Sequence, residues 1–254
     1  MTRVIKVGGR TQQDPALSSA VASGWACDEG GIVLVHGGGD EVSALQSAFG
    51  ERASFVDGRR VTTERDVDLV RMALSGSANK RLVATLVERG IDAVGLSGED
   101  AALIAASPLD ERRLGYVGVP RSVNVAFLRH LLSGGYLPVI SPVSRNGTGT
   151  LGAALNVNGD DAAAAIAVAL GAAELLLVSD VPGVMCDGRV VAALTPGEAR
   201  ALLSTGAATG GMRAKLQAAA SAVEGGVLRV RISDIGAIAD LTRGTVVAAA
   251  RDLS

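Results

Sequence analysis

Short runs of valine, isoleucine and leucine recur along this chain, and several end on glycine or on paired amides. They are Val4-Ile5-Lys6-Val7-Gly8-Gly9, Val33-Leu34-Val35-His36-Gly37-Gly38-Gly39, Leu155-Asn156-Val157-Asn158-Gly159-Asp160 and Val178-Ser179-Asp180-Val181-Pro182-Gly183. Longer alanine-rich stretches separate them. Strands that are apolar throughout, rather than at alternate positions, are buried on both faces. Alternation of such strands with helical stretches is the βαβ signature of a mostly parallel sheet with helices on both sides. Glycine after a strand lets backbone N–H groups approach a ligand closely, and the helix start that follows adds a positive field.

The expected strands are Arg3–Val7, Gly31–Val35, Ala93–Leu96, Leu137–Ser141, Glu174–Ser179 and Val227–Ile232. The expected helices are Pro15–Asp28, Asp40–Phe49, Glu64–Arg89, Val123–Ser133, Asp161–Leu170, Pro196–Ser204, Met212–Glu224 and Gly236–Leu241. Thr63-Glu64 reads as the start of the long helix and Gly90 as its stop. Thr195-Pro196 is a cap followed by proline in the first turn. Residues 101–120 read as a polar, irregular excursion or hairpin around Asp110-Glu111-Arg112-Arg113. Gly171 marks a soft boundary between a unit spanning residues 1–172 and a second spanning 173–254.

Of the 254 residues, 48% are hydrophobic but only 2% aromatic, so the core must be built from Ala, Val, Leu and Ile. So few aromatics also argue against base-stacking platforms for single-stranded nucleic acid. The net charge of −2 supplies no basic field for nucleic acid or anionic lipid. Cys27 and Cys186 form neither a metal-type pair nor a disulfide framework, which points to a reducing, cytoplasmic compartment. The most apolar helix, near Ala162–Leu170, is too short to span a bilayer.

Each chemical segment has an ordinary reading beside its functional one. Lys6-Val7-Gly8-Gly9 puts a lysine where open α/β sheets bind ligands, although alone it is an unremarkable βα turn. Three consecutive glycines after His36 make sense where backbone must wrap a charged group. His36 itself reads as a structural histidine tied to backbone. In Gly58-Arg59-Arg60-Val61-Thr62 a guanidinium fork suits a carboxylate; the alternative is a solvated basic turn. Two amides and two acids in Asn156–Asp161 exceed what a helix cap requires. A cap would account for Asp161 but not for Asn156, which suits hydrogen bonding to a substrate while Asp160 holds nearby lysines. The Asp180–Gly183 turn could grip a nucleotide or be an ordinary turn. Gly210-Gly211-Met212-Arg213-Ala214-Lys215 opens a helix whose lysine can reach back toward the helix start. There is no P-loop, no dinucleotide fingerprint after the first strand and no metal-ligand spacing, and His130 reads as a helix-end residue.

In order, Lys-Val-Gly-Gly, His-Gly-Gly-Gly, Gly-x-Arg-Val-Thr, Asn-Val-Asn-x-Asp, Ser-Asp-Val-x-Gly and Gly-Gly-Met-x-x-Lys resemble the amino acid kinase family over essentially the whole chain. The nearest branch of that family acts on N-acetyl-L-glutamate. The resemblance implies a three-layer αβα sandwich with a mostly parallel central sheet, of the carbamate kinase-like type. Residues 1–172 would form an N-terminal lobe for the acyl amino acid and for dimerisation, and residues 173–254 a C-terminal lobe for ATP. It implies Lys6 and Lys215 as charge-stabilising lysines and Asp160 as the residue that organises them. Gly38, Gly39, Arg60 and Asn156 would bind the substrate, and Gly8 and Gly9 the transferring phosphoryl group. Asp180, Val181, Pro182, Gly183, Val184 and Met185, with Ala207, Ala208 and Thr209, would bind the nucleotide.

The implied reaction is phosphorylation of the side-chain carboxylate by ATP, in arginine biosynthesis, with Mg²⁺ held mainly by the ATP phosphates and not by a protein metal site. The branch that phosphorylates carrier-bound aminoadipate or glutamate in lysine synthesis shares most of the motifs, and a non-catalytic nucleotide-binding sensor is the alternative of another class. Arg59 stands where the family pattern usually has leucine, Gly159 where alanine is common, and Glu99-Asp100 where Lys-Asp often occurs. The chain opens on its first strand, without the N-terminal helix of arginine-inhibited hexameric members, so the implied assembly is a homodimer insensitive to arginine.

Overall fold

The computed structural model describes residues 2–28, 31–56, 58–148, 154–204 and 210–253. The chain begins with β1 (Arg3–Val7), α1 (Ala16–Cys27), β2 (Ile32–His36) and α2 (Gly39–Ala48). A small hairpin of β3 (Phe55–Val56) and β4 (Arg59–Arg60) leads into α3 (Glu64–Val70), a π-helical segment (Arg71–Ala78) and α4 (Asn79–Val87). Next come β5 (Ala93–Gly98), β6 (Ile104–Pro108), the single turn α5 (Glu111–Leu114), β7 (Val117–Val123), α6 (Val125–Ser133), β8 (Leu137–Asn146), β9 (Ala154–Val157) and α7 (Gly159–Leu170). The chain then forms β10 (Glu174–Val178), a hairpin of β11 (Met185–Cys186) and β12 (Arg189–Val190), β13 (Ala193–Leu194), α8 (Pro196–Ser204), α9 (Gly210–Glu224), β14 (Arg229–Ser233) and β15 (Thr245–Val247).

Eleven of these strands form one sheet in the order β13-β15-β14-β10-β1-β2-β8-β6-β7-β9, with β5 paired to β8. Pairing is mostly parallel. β1 lies between β2 and β10, parallel to both, and antiparallel pairs occur at β6–β7, β8–β9 and β14–β15.

Side chains alternate across this sheet and build two cores. Val4, Val33, Val35, Leu175 and Leu177 pack on the face covered by α7 and α9. Ile5, Val7, Ile32, Leu34, Leu176 and Val178 pack on the other face, with Leu17 and Val21 of α1 and Leu82 and Leu86 of α4. Alanines 162, 163, 167, 218, 219, 220 and 222 are all buried. Their small side chains let α7 and α9 lie close to each other and to the sheet, which is how a core with so few aromatics reaches close packing.

Three local expectations change, and one left open between two forms is resolved. The helix expected over 64–89 is continuous but widens into π geometry over Arg71–Ala78. It does begin at Thr63, in a capping box with Asp66. The segment expected as a helix over Gly236–Leu241 is a 3₁₀ turn, Ile235–Ile238, whose N-terminus is capped by Asp234. Of the excursion or hairpin expected over residues 101–120, the structure has the hairpin, β6–β7, which joins the main sheet through β8 and β9. Asp161 is not the cap of α7. Asn158 takes that role, its Oδ1 accepting from the N–H groups of Asp160 at 2.8 Å and Asp161 at 3.4 Å.

At the N-terminal ends of the central strands, buried Glu174 of β10 accepts from Arg231 Nε at 2.6 Å and from Arg3 Nε at 2.9 Å. Burial alone would raise the Glu174 pKa, but hydrogen bonding and charge from Arg231 and Arg3 outweigh it and hold the carboxylate below its usual range. Arg3 also reaches Asp28 at 2.7 Å, so β1, β10, β14 and the end of α1 meet at one charged knot.

Candidate active site

Residue alternation sets the first part of the site. Val4 of β1 faces the α7–α9 layer, so Lys6 two residues on faces the same way, at the strand's C-terminal end. There it meets Asp160, in the first turn of α7, where the unpaired N–H groups of the helix favour a carboxylate. Lys6 Nζ is 2.9 Å from Asp160 Oδ1, and Lys215 Nζ, from the second turn of α9, lies 3.2 Å from the same oxygen. All three side chains are buried. Burial would raise the Asp160 pKa, yet the two ammonium groups pull it below the normal value. Lys215 is pushed down to about 8 by burial and by repulsion from Lys6, with Asp160 opposing.

The glycine loops form a cradle beside this triad. Gly38 has φ of +148°, a conformation open to glycine, and a Cβ there would come within 2.7 Å of Leu74 Cδ2. A Cβ on Gly9 would lie 3.0 Å from Gly38 Cα, so the two loops touch backbone to backbone. Gln12 fixes their relative position by donating to the Gly37 carbonyl at 2.7 Å.

His36 sits behind the cradle, fully buried. Its Nδ1 donates to the Gly37 carbonyl at 2.9 Å, and Nε2 accepts from Asn79 Nδ2 at 3.0 Å. Asn79 also donates to the Val139 carbonyl at 2.9 Å, which sets its amide and hence the neutral imidazole tautomer. Burial lowers the His36 pKa from 6.5 to about 4. Between those values the unfolded chain binds a proton that the folded chain refuses, so stability is lost as pH falls from 6.5 toward 4, by up to about 3 kcal/mol. Urea denaturation at pH 7.0 and 4.5 is expected to show this loss in the wild type and a smaller one in His36→Gln. Equal losses in the two proteins would refute it.

Two cavities open on the triad. One, of about 240 Å³, is lined by Lys6, Gly38, Gly39, Arg60 and Asn156 among others. The second, of about 470 Å³, is lined by Gly8, Asp180, Val181, Gly183, Val184, Met185 and Lys215 among others. Gly9 lines both. Pro182 is exposed and lies outside the lining, its carbonyl accepting from Ser233 Oγ at 3.2 Å. Ala207, Ala208 and Thr209 lie outside the described residues.

Within the smaller cavity Arg60 is buried against neutral groups. Its Nη1 donates to Gln46 Oε1, its Nη2 to the Gly39 carbonyl and Ser43 Oγ, each at 2.8 Å, and its guanidinium lies 4.8 Å over the Phe55 ring. Asp66, the nearby acid, is spent on Thr63 and Gln46. Burial lowers the Arg60 pKa, with Asp66 and Asp40 opposing. The result is a cation that no carboxylate of the described residues contacts, a place that favours an anionic ligand. Asn156 donates to Thr62 Oγ1 at 3.0 Å, which leaves its carbonyl oxygen to accept.

The sequence reading passed over several contributors. Asn158 sets the start of α7, a role signalled by the Asn-x-Asn spacing. Thr245 accepts the Val184 N–H at 2.8 Å and so shapes the wall of the larger cavity, with no local sequence signal. Leu202 and Met212 line that cavity from α8 and α9. Among the described residues no group of three His, Cys, Asp or Glu side chains could hold a metal ion, and no helix is long and apolar enough to cross a membrane.

The sequence profile of the amino acid kinase family matches residues 1–234. The chain belongs to this family. It is 43% identical over 239 residues to the acetylglutamate kinase of Chloroflexus aurantiacus, covering 93% of each chain. Its fold superposes on smu.665 from Streptococcus mutans UA159 with a TM-score of 0.87 at 30% identity, covering 98% of both. It also superposes on N-acetylglutamate synthase from Neisseria gonorrhoeae, solved with coenzyme A and N-acetyl-glutamate, with a TM-score of 0.82 at 28% identity; that match covers 97% of this chain and 59% of the other. The three-layer αβα architecture expected from the resemblance is therefore the family's own.

Proposed function

We propose that this chain transfers the γ-phosphoryl group of ATP to the side-chain carboxylate of N-acetyl-L-glutamate, giving N-acetylglutamyl 5-phosphate and ADP, the acetylglutamate kinase step of arginine biosynthesis. One observation carries the reading: two buried ammonium groups share one carboxylate oxygen where two cavities meet. The attacking carboxylate is ionised near neutral pH, so no general base is required, and His36 has no proton-transfer role. The obstacle is repulsion between an anionic nucleophile and a triphosphate. Lys6 and Lys215 neutralise the charge that gathers on the transferring group, Asp160 holds them in place, and the Gly8, Gly9, Gly38 and Gly39 backbone supplies donors that need no reorganisation. Arg60 takes the substrate α-carboxylate and the free oxygen of Asn156 its amide N–H. Asp180 to Met185, with Ala207, Ala208 and Thr209, hold the nucleotide.

Residues 1–172 serve as the acyl amino acid and dimerisation lobe and 173–254 as the ATP lobe of a cytoplasmic homodimer. Mg²⁺ is carried on the ATP phosphates and offsets their charge. The donor set fits this arrangement, because among the described residues that line the larger cavity Asp180 is the one carboxylate, and Asp160 is held between two lysines.

Hydroxylamine trapping of the acyl phosphate is expected to give hydroxamate with N-acetylglutamate and much less with N-acetylaspartate or N-acetylaminoadipate. No hydroxamate from N-acetylglutamate would overturn the proposal. Arg60→Lys keeps the charge but loses the planar fork. It should raise KM for N-acetylglutamate about 10-fold or more, the worth of a charge-assisted hydrogen bond, with kcat within a few-fold. An unchanged KM would remove Arg60 from the α-carboxylate site.

A further inference from the structure

Arg59 has no part in the chemistry above, yet it occupies an unusual position. It lines the smaller cavity beside Arg60, and it also lines a third cavity of about 510 Å³. Among the described residues no other is common to the linings of those two cavities. The third cavity is walled by Val119 and Val123 of β7, by Ala164 and Val168 of α7 and by Gln217 of α9. Arg59 Nη2 donates to Asp161 Oδ2 at 2.8 Å. Its Nη1 is buried and makes no hydrogen bond to the described residues, while 26% of the side chain remains exposed.

A charged donor without an acceptor is costly, and the cost disappears when a ligand supplies an oxygen. In the orientation proposed above, the α-carboxylate lies on Arg60 and the side-chain carboxylate near Lys6. The N-acyl group is then the part of the substrate left to face Arg59. Among the described residues, the lining of the smaller cavity contains Lys6, Arg59 and Arg60 and no carboxylate.

We infer that Arg59 is a specificity-determining residue for the N-acyl group, and that the site accepts glutamate bearing a dicarboxylic acyl group, whose terminal carboxylate meets the guanidinium at the border of the third cavity. Succinyl is a short group of this kind. Its chain continues beyond the acetyl methyl position by one methylene and a terminal carboxylate. This inference rests on the proposed kinase activity and names the class of acyl group that the same site takes.

The test compares N-acetylglutamate with N-succinylglutamate in the hydroxamate assay, for the wild type, Arg59→Leu and Arg59→Lys, with melting temperatures recorded for each. The wild type is expected to use the succinyl compound with kcat/KM within about 3-fold of the acetyl compound or better. Arg59→Leu is expected to lose at least 10-fold on the succinyl compound alone, through KM, and Arg59→Lys to recover part of that loss. Two results overturn the inference while leaving the kinase reading intact. One is a wild type that works on N-acetylglutamate but is at least 100-fold poorer on the succinyl compound. The other is an Arg59→Leu enzyme that changes equally on both substrates. Should Arg59→Leu fail to fold, the wild-type ratio and Arg59→Lys decide alone. Phosphorylation of neither compound would instead defeat the kinase reading, and this inference with it.

Discussion

Lys215→Ala is expected to lower kcat by about 10²–10³-fold, the usual cost of removing one preorganised group that stabilises transition-state charge. Its KM for N-acetylglutamate should change little, because Lys215 lines the larger cavity and not the one with Arg60. Folding should not suffer in proportion. The ammonium is buried, its pKa is already pushed down to about 8 by burial and by Lys6, and taking it away relieves both. The same shift predicts a pH profile. A lysine with a lowered pKa loses its charge as pH rises, so kcat/KM of the free enzyme should decline above about pH 8. In the ATP complex the phosphates favour the ammonium, so the decline in kcat should come at higher pH. Steady-state rates from pH 6 to 10 on wild type and Lys215→Arg give the check. Near-normal turnover in Lys215→Ala would contradict the role of the residue.

Asp160→Asn should act on stability and on rate together. The substitution keeps the shape of the side chain and removes its charge, leaving two ammonium groups beside one neutral amide in a buried site. Breaking a buried ion pair from one side costs about 3–5 kcal/mol, and the cost should appear as a clear fall in melting temperature at pH 7. Asp160 is also what holds the Lys215 pKa up against burial. Without it the decline in kcat/KM should move below pH 8, and the lost stability should be partly regained as pH rises and one lysine gives up its proton. A variant as stable as wild type with an unmoved pH profile would show that the carboxylate does not organise the lysines.

Much of the frame was legible because burial on both faces leaves a plain signal. β1 occurs at its expected residues, and the other five expected strands lie within a few residues of theirs, apart from the longer β8. What escaped was structure that depends on tertiary contact. β9 is four residues long and reads as part of a helix-start motif, and the joining of the β6–β7 hairpin to the main sheet depends on pairing with β8 and β9, which its own sequence does not announce. The π segment arises where the long helix packs on the glycine cradle through Leu74 and bonds Ser75 to Ser141 at 2.7 Å, which helix periodicity alone does not reveal. Within the site, Lys6, Asp160 and Lys215 each have a bland local reading. They are 154 and 55 residues apart, and only the packing of α7 and α9 on β1 brings them to one oxygen. The partnership of Arg59 with Asp161 has the same character, since nothing in either neighbourhood names the other.

The charged knot around Glu174 bears on how the site can open. It fastens β1 to β10 and β14 at one end of the sheet, where Arg231 has no exposed surface at all. The glycine turns and both lysines lie at the opposite end of strands that are five residues long, a lever arm of about 13 Å. Separating the strands at the fastened end would strand buried charges, whereas a change of twist at the far end breaks none of those bonds. If the larger cavity takes the nucleotide as proposed, its entry and release are expected to pivot on this fastened end, the one remote from the two lysines.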